Sequence, residues 1–293
     1  AAALDAAEIK TWGRGLNNAA LVNMPMTEWF PQWFQTMLPM LGKLFIIADI
    51  ISIILGFPML IIALFRRKAD KIKDIELDYS KISTPHIDYV PKLKLFVAND
   101  SDESSKYTPD RPTVLILPGG GYSMTSEREA EPIAMHFLAR GMNAAILYYS
   151  VRPAVFPVAL LEALTAVKYL RETARQYHAD TNTIYVCGFS AGGHLAACVG
   201  PLWNGKEARG YFGDDTQILR PDGLNLAYPV IINDFDGEKM MHKGSFNNLL
   251  GEENRDNREM LEYLCLDRRV SKSTPPTFIW STFEDAGVPC DNT

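Results

Sequence analysis

The sequence predicts an α/β domain with a mostly parallel sheet and helices on both faces, preceded by a transmembrane helix. Three observations point to it. From about Asp78 onward, short β-branched runs alternate with helix-periodic segments. A strand runs directly into a helix through Gly188-Phe189-Ser190-Ala191-Gly192. The 22 residues from Leu44 to Phe65 carry one charge, Asp49.

The elements follow in chain order. Residues 1–43 form an N-terminal extension in which Trp29-Phe30-Pro31-Gln32-Trp33-Phe34 has the character of an interfacial aromatic belt. At about 1.5 Å per residue, a helix over 44–65 is long enough for a hydrocarbon layer about 30 Å thick. A buried core helix is the alternative, but it would ordinarily show a polar stripe over six turns. Asp49 lies close enough to one end to reach headgroups, and Gly56-Phe57-Pro58 marks a kink. Arg66, Arg67, Lys68, Lys71 and Lys73 follow the run, whereas Lys43 alone closely precedes it. That bias predicts a membrane protein whose C-terminal domain is cytoplasmic, joined through a basic linker over 66–77.

Within 78–293, strands are expected over Thr113–Leu117, Asn143–Tyr149, Thr183–Cys187, Gly223–Tyr228 and Thr277–Thr282. Helices are expected over Ile133–Arg140, Val158–Tyr177 and Ala191–Val199. The long one is opened by Pro157 and shows apolar residues at Leu160, Leu161, Leu164, Val167 and Leu170.

Composition narrows the functional class. The 293 residues are 47% hydrophobic, which excludes a disordered chain. Lys and Arg number 29 against 35 Asp and Glu, a net charge of −6 that argues against a nucleic-acid partner. Cys187, Cys198, Cys265 and Cys290 are widely spaced, with no C-x-x-C pair, and fit reduced thiols better than zinc or a disulfide framework.

Ser190 is the candidate nucleophile. A serine at a sharp strand–helix turn is held at the sheet's carboxyl edge, near the positive end of a helix dipole. Glycines two residues to either side remove side chains that would collide in that turn. A structural glycine-rich junction is the alternative. Upstream, Pro118-Gly119-Gly120-Gly121-Tyr122 follows a strand. Acyl transfer builds negative charge on a carbonyl oxygen, and prealigned N–H donors stabilise it. Gly120 and Gly121 are candidate donors, with Ala191 completing an oxyanion hole. A phosphate loop would need G-x-x-x-x-G-K-[ST] or G-x-G-x-x-G, and neither is present here.

The acid is sought after the nucleophile. Asp285, in the loop following the 277–282 strand, is the choice, with Glu284 as the alternative. Triads on such a sheet run Ser, acid, His, but His86, His136, His178, His194 and His242 all precede Asp285. His194, four residues past Ser190, is expected to be structural. His242 is expected to cap a helix or line a substrate pocket. The chain reaches Thr293 eight residues after Asp285, so the triad histidine is expected beyond it and this fragment is expected to be inactive.

Together these motifs resemble the α/β-hydrolase superfamily, and within it the acetyl-esterase/lipase branch that includes BD-FAE-like and acetylxylan-esterase-like proteins. The likeness runs from about Asp88 to Val288. It rests on Pro118–Tyr122, Arg128-Glu129-Ala130-Glu131-Pro132, Gly188–His194, Tyr228-Pro229-Val230, His242-Lys243-Gly244-Ser245-Phe246 and Asp285-x-x-Val288-Pro289. It implies a serine nucleophile at 190, a triad acid at 285 and a small-molecule ester substrate, short acyl groups such as acetyl on sugars included. Tyr122 and residues around Phe246 are expected to line the pocket. No cofactor or metal is required. Two departures stand out: the family's final His-Gly loop is absent, and Ser281-Thr282 replaces a usual His-Thr. A peptidase or amidase using the same machinery, or a non-catalytic membrane-tethered module, remains as an alternative.

Overall fold

In the computed structural model, residues 72–82, 90–98, 110–232 and 242–293 are described. They fall within one unit that runs from Lys68 to Thr293. Seven strands form its sheet: β1 (Ile72–Ile75), β2 (Lys92–Phe96), β3 (Arg111–Leu117), β4 (Asn143–Tyr148), β5 (Ala179–Phe189), β6 (Gly223–Ala227) and β7 (Thr277–Trp280). Their order is β1-β2-β4-β3-β5-β6-β7. The five strands from β4 to β7 are parallel, while β1 and β2 add an antiparallel edge.

Both faces are covered. On one, Leu115 and Leu117 of β3 and Leu147 of β4 pack with Leu160, Leu164 and Val167 of α2 (Val158–Thr173) and Leu195 and Val199 of α3 (Ser190–Leu202). On the other, Val114 and Ile116 meet Ala144, Ile146 and Ala134 of α1 (Glu131–Leu138). Successive residues of one strand thus serve opposite cores, and strands buried on both faces read as unbroken apolar runs. Shorter helices α4 (Lys206–Phe212), α5 (Lys243–Asn254) and α6 (Arg258–Tyr263) lie between the later strands. Cys187, Cys198, Cys265 and Cys290 are all unbridged.

One buried carboxyl stands out. Glu162 of α2 is 2% exposed and accepts from the Ser150 amide at 2.7 Å and its hydroxyl at 2.6 Å. Burial pushes its pKa up to about 7, against the opposing pull of those two bonds.

The expected basic linker over 66–77 is corrected by β1, which occupies its second half. Ile72 and Ile75 pair opposite Phe96 and Leu93, and Lys73 and Asp74 are both exposed on an edge strand. Its four residues, Ile72-Lys73-Asp74-Ile75, hold two adjacent charges between isoleucines, a pattern without strand alternation and too short to separate from a charged linker. The expected transmembrane helix over 44–65, the belt at 29–34 and His86 lie outside the described residues. Among the described residues no helix is long and apolar enough to cross a membrane.

Candidate active site

The carboxyl ends of β3, β5, β6 and β7 form one edge of the sheet, and each leads into a loop of the candidate site. At β5 the chain turns through Ser190, whose φ of 51° is unusual for a residue with a side chain. Such a conformation costs about 1–3 kcal/mol and persists only where the surroundings enforce it. A Cβ at Gly188 would stand 2.2 Å from the Gly192 carbonyl oxygen, and one at Gly192 would stand 2.1 Å from that of Leu117. The two flanking glycines are therefore required by close backbone approach. Ser190 is partly exposed, and its hydroxyl makes no hydrogen bond to another described residue.

The glycine-rich loop lies beside it: a Cβ on Gly119 would be 3.0 Å from that of Ser190. Gly120, Gly121 and Tyr122 take φ values of 132°, 64° and 54° in succession. The loop's carbonyls are all engaged. Pro118 accepts from the Tyr149 hydroxyl at 2.6 Å, Gly119 from Ser126 N at 2.9 Å, and Gly120 from Ser123 N at 3.1 Å. Gly121 accepts from Asn248 Nδ2 at 2.7 Å and Tyr122 from Arg152 N at 2.9 Å. The N–H groups of Gly120 and Gly121 meet no acceptor among the described residues. The amide of Ala191 lies in the first turn of α3, where helical N–H groups have no intrahelical partner. Amides without an acceptor among the described residues, on the loop bordering Ser190 and at the start of α3, are the kind of donor an oxyanion needs.

Glu129 was not singled out from sequence as a site residue. Its Oε2 accepts from Gly119 N at 2.7 Å and its Oε1 from the Tyr228 hydroxyl at 3.1 Å, joining the glycine-rich loop to the turn after β6. Burial first, then the Glu129 charge, raises the Tyr228 phenol. Nothing in the motif Arg128–Pro132 itself reveals this link, because both partners come from other strands' ends.

Asp285 follows β7. Its Oδ1 accepts from Gly287 N at 2.8 Å and Val288 N at 2.9 Å, so the loop is shaped by its own acid. Glu284 beside it is exposed and makes no comparable contact. None of the four described histidines is hydrogen-bonded to Ser190 or Asp285. His136 and His178 are exposed, the latter at the opposite end of β5 from the serine. His242 caps α5, its Nδ1 accepting from Ser245 N at 3.2 Å and lying 2.9 Å from Ser245 Oγ. His194 is buried in α3, and burial lowers its pKa to about 4.

Tyr122 departs from its expected place on the pocket wall. Its ring is 3% exposed, and its hydroxyl meets His194 Nδ1 at 2.8 Å. The left-handed backbone at 122 turns the side chain inward. Phe246, expected near the pocket, is likewise 2% exposed and stacks edge-on to His194 at 5.1 Å.

A serine on a strained strand–helix turn, facing a glycine-rich amide loop across a parallel sheet edge, defines an α/β-hydrolase. Within that class the chain belongs to the BD-FAE family, an esterase-like family whose model matches residues 102–293. Residues 1–83 match a separate domain of unknown function, DUF8201. Over 209 residues the chain is 34% identical to endo-1,4-beta-xylanase B of Butyrivibrio fibrisolvens, covering 70% of this chain and 31% of that protein. Over 205 residues it is 28% identical to an acetylxylan esterase of Xylanibacter ruminicola, covering 67% and 40%. The chain thus spans well under half the length of these two relatives. Among solved structures it is similar to an acetyl ester-xyloside bifunctional hydrolase from Caldicellulosiruptor lactoaceticus. That match has a TM-score of 0.63 and 33% identity, and covers 75% of this chain and 78% of the other.

Proposed function

We propose that the protein hydrolyses carboxylic esters of short acyl groups, acetyl esters of sugars foremost, through an acyl-enzyme on Ser190. The observation that carries this is the Ser190 hydroxyl, held at positive φ next to a loop whose Gly120 and Gly121 amides, with that of Ala191, meet no acceptor among the described residues. The acyl preference is drawn from the names of the xylan-directed relatives.

Ser190 Oγ attacks the ester carbonyl while an imidazole takes its proton. The carbonyl oxygen becomes an oxyanion held by the amides of Gly120, Gly121 and Ala191. Each such donor is commonly worth about 10²–10³ in rate. Collapse expels the alcohol, which receives the proton from the imidazolium. Water then attacks the acyl-serine by the same route and releases the acid. Asp285 orients the imidazole: Oδ1 is occupied by its own loop, which leaves Oδ2 for an N–H. The order Ser, acid, His places that imidazole downstream of Asp285. The same proposal attaches the protein to a membrane through residues 44–65, with the catalytic unit on the cytoplasmic side.

The test uses the full-length protein with activated acetyl, butyryl and octanoyl esters, acetylated xylan and an acetyl anilide. Turnover is expected to be highest with acetyl esters, and Ser190→Ala should lower kcat at least about a thousandfold. Undiminished activity in that variant would overturn the assignment, and faster anilide than ester cleavage would favour an amidase. Recovery of the protein in a carbonate-washed membrane fraction is expected, and its release into the wash would sink the anchoring proposal.

A further inference from the structure

We infer that His194 is a positioning residue that fixes the spacing between the two halves of the amide cradle, through its hydrogen bond to Tyr122. This inference rests on the acyl-transfer role proposed for Ser190 and adds a residue to it.

The cradle is assembled from two separate segments. Gly120 and Gly121 belong to the loop after β3, whereas Ala191 belongs to the first turn of α3. Their relative position decides whether all three amides converge on one oxygen. A misplacement of about 1 Å in such a constellation can lower a rate by about a hundredfold. Among the described residues, a single hydrogen bond joins residues 119–122 to α3, and it is the one between the Tyr122 hydroxyl and His194 Nδ1, at 2.8 Å. His194 lies four residues past Ser190, one turn down the helix that carries both the nucleophile and Ala191.

The need for such a tie comes from the backbone. Three consecutive residues at positive φ form a strained stretch, and the last of them, Tyr122, has a side chain that disfavours the conformation. A segment of this kind keeps its shape only when its surroundings over-determine it. The Tyr122 ring supplies that anchor, packed edge-on against Tyr149 at 6.0 Å and His194 at 5.9 Å.

The imidazole is suited to the task in a way an apolar residue is not. Its Nε2 lies 3.4 Å from the Leu264 carbonyl oxygen, which can only accept, so Nε2 carries the proton. Nδ1 is then a bare acceptor and the Tyr122 hydroxyl is the donor. Leu264 directly follows α6, so the ring is oriented from a third element. Cys198 also faces it, with Sγ 3.7 Å from Nδ1, as a weak donor whose own ionisation burial suppresses. Burial keeps the ring neutral, which preserves this tautomer. A leucine could fill the space but would leave the phenol unpaired and the loop free to shift.

The experiment compares H194N, H194Q, Y122F and the double variant Y122F/H194Q in the full-length protein. Asparagine can place an acceptor where Nδ1 stands, whereas glutamine can reach only towards Leu264. Amide hydrogen exchange at Gly119 and Ser123, whose N–H groups are bonded to Glu129 and to the Gly120 carbonyl, is expected to rise about tenfold in H194Q and Y122F, to stay near wild type in H194N, and to remain unchanged in β5. Correspondingly, kcat for an acetyl ester should fall about tenfold or more in H194Q and Y122F with KM within twofold. The double variant should be no worse than either single one. Unchanged loop exchange in H194Q and Y122F, or an H194N protein as loosened as H194Q, would overturn the inference. If the wild-type protein fails to cleave esters, the proposed function falls and the exchange pattern alone decides the anchoring. If H194Q does not fold, H194N and Y122F decide it by the same measurement.

Discussion

The loops Gly119–Tyr122 and Phe283–Val288 leave the same edge of the sheet, yet they are held by different means. The first is tied by hydrogen bonds with Glu129, Asn248, Arg152 and His194, drawn from four other parts of the chain. The second makes its side-chain hydrogen bonds within itself, two amides on Asp285 Oδ1, seats Val288 in the core and exposes Phe283 at 90%. The contrast follows from the chemistry each loop would serve. An amide cradle stabilises charge only if its dipoles are aligned before that charge appears, so its geometry must be enforced from outside. A carboxylate that orients one imidazole needs only a fixed local shape.

Asp285→Asn should separate the two loops most sharply. Its Oδ1 can still accept from Gly287 and Val288, so stability is expected to stay within about 0.5 kcal/mol of wild type. Activity should nonetheless drop by about 10³–10⁴, because an amide cannot hold the required imidazole tautomer. Urea denaturation and ester turnover check both halves, and retained turnover would remove Asp285 from the triad.

Glycine substitutions give the next largest contrast. Gly192→Ala would drive a Cβ to 2.1 Å from the Leu117 oxygen and 2.4 Å from that of Pro118, both backbone atoms. A loss of about 3 kcal/mol or more is expected. At Gly287 a Cβ would meet only Asp285 Oδ1 at 3.3 Å, within the same loop, so Gly287→Ala should cost less than about 1 kcal/mol. Equal losses in the two melting curves would erase the distinction between imposed and self-held loops.

A smaller effect concerns the buried ionisable groups on the tightly tied side. Glu162 is raised from 4.5 to about 7, so it contributes stability below pH 4.5 that is lost as pH rises to 7. His194 is lowered from 6.5 to about 4, so its contribution is present above pH 6.5 and is lost as pH falls to 4. Between pH 4.5 and 6.5 the two slopes oppose and nearly cancel. Glu162→Gln should make stability rise with pH across that window, and His194→Asn should make it fall, each by up to about 3 kcal/mol. Denaturant midpoints at several pH values measure the slopes, and two variants with parallel profiles would contradict the assignment.

Much of the sheet was legible in the chain. The β5–Ser190–α3 junction shows in five consecutive residues, because a sharp turn imposes its steric demands on immediate neighbours. The buried strands β3 and β4 show as apolar runs for the same local reason. The antiparallel strands β1 and β2 did not, although Lys92-Leu93-Lys94-Leu95-Phe96 alternates with the period of two that a half-buried strand requires. Tyr122, expected to line the pocket, directly follows the candidate donors in the chain. Adjacency along the chain does not reveal on which side a ring falls once φ turns positive. Glu129 stood in a motif of the resemblance but without a role, and Asn248 carried no signal, since each acts on an atom supplied by another part of the fold.

By itself the sequence determined where the backbone must turn sharply, which residues can be buried on both sides of a strand, and which hydroxyl stands at the turn. These are consequences of local sterics and of apolar periodicity, and they survive without knowledge of any partner. Only the tertiary structure decided which carbonyls of the glycine-rich loop are engaged, and which of its amides meet no acceptor among the described residues. Hydrogen-bond partners ten to more than a hundred residues apart are chosen by packing, and packing is a property of the whole fold.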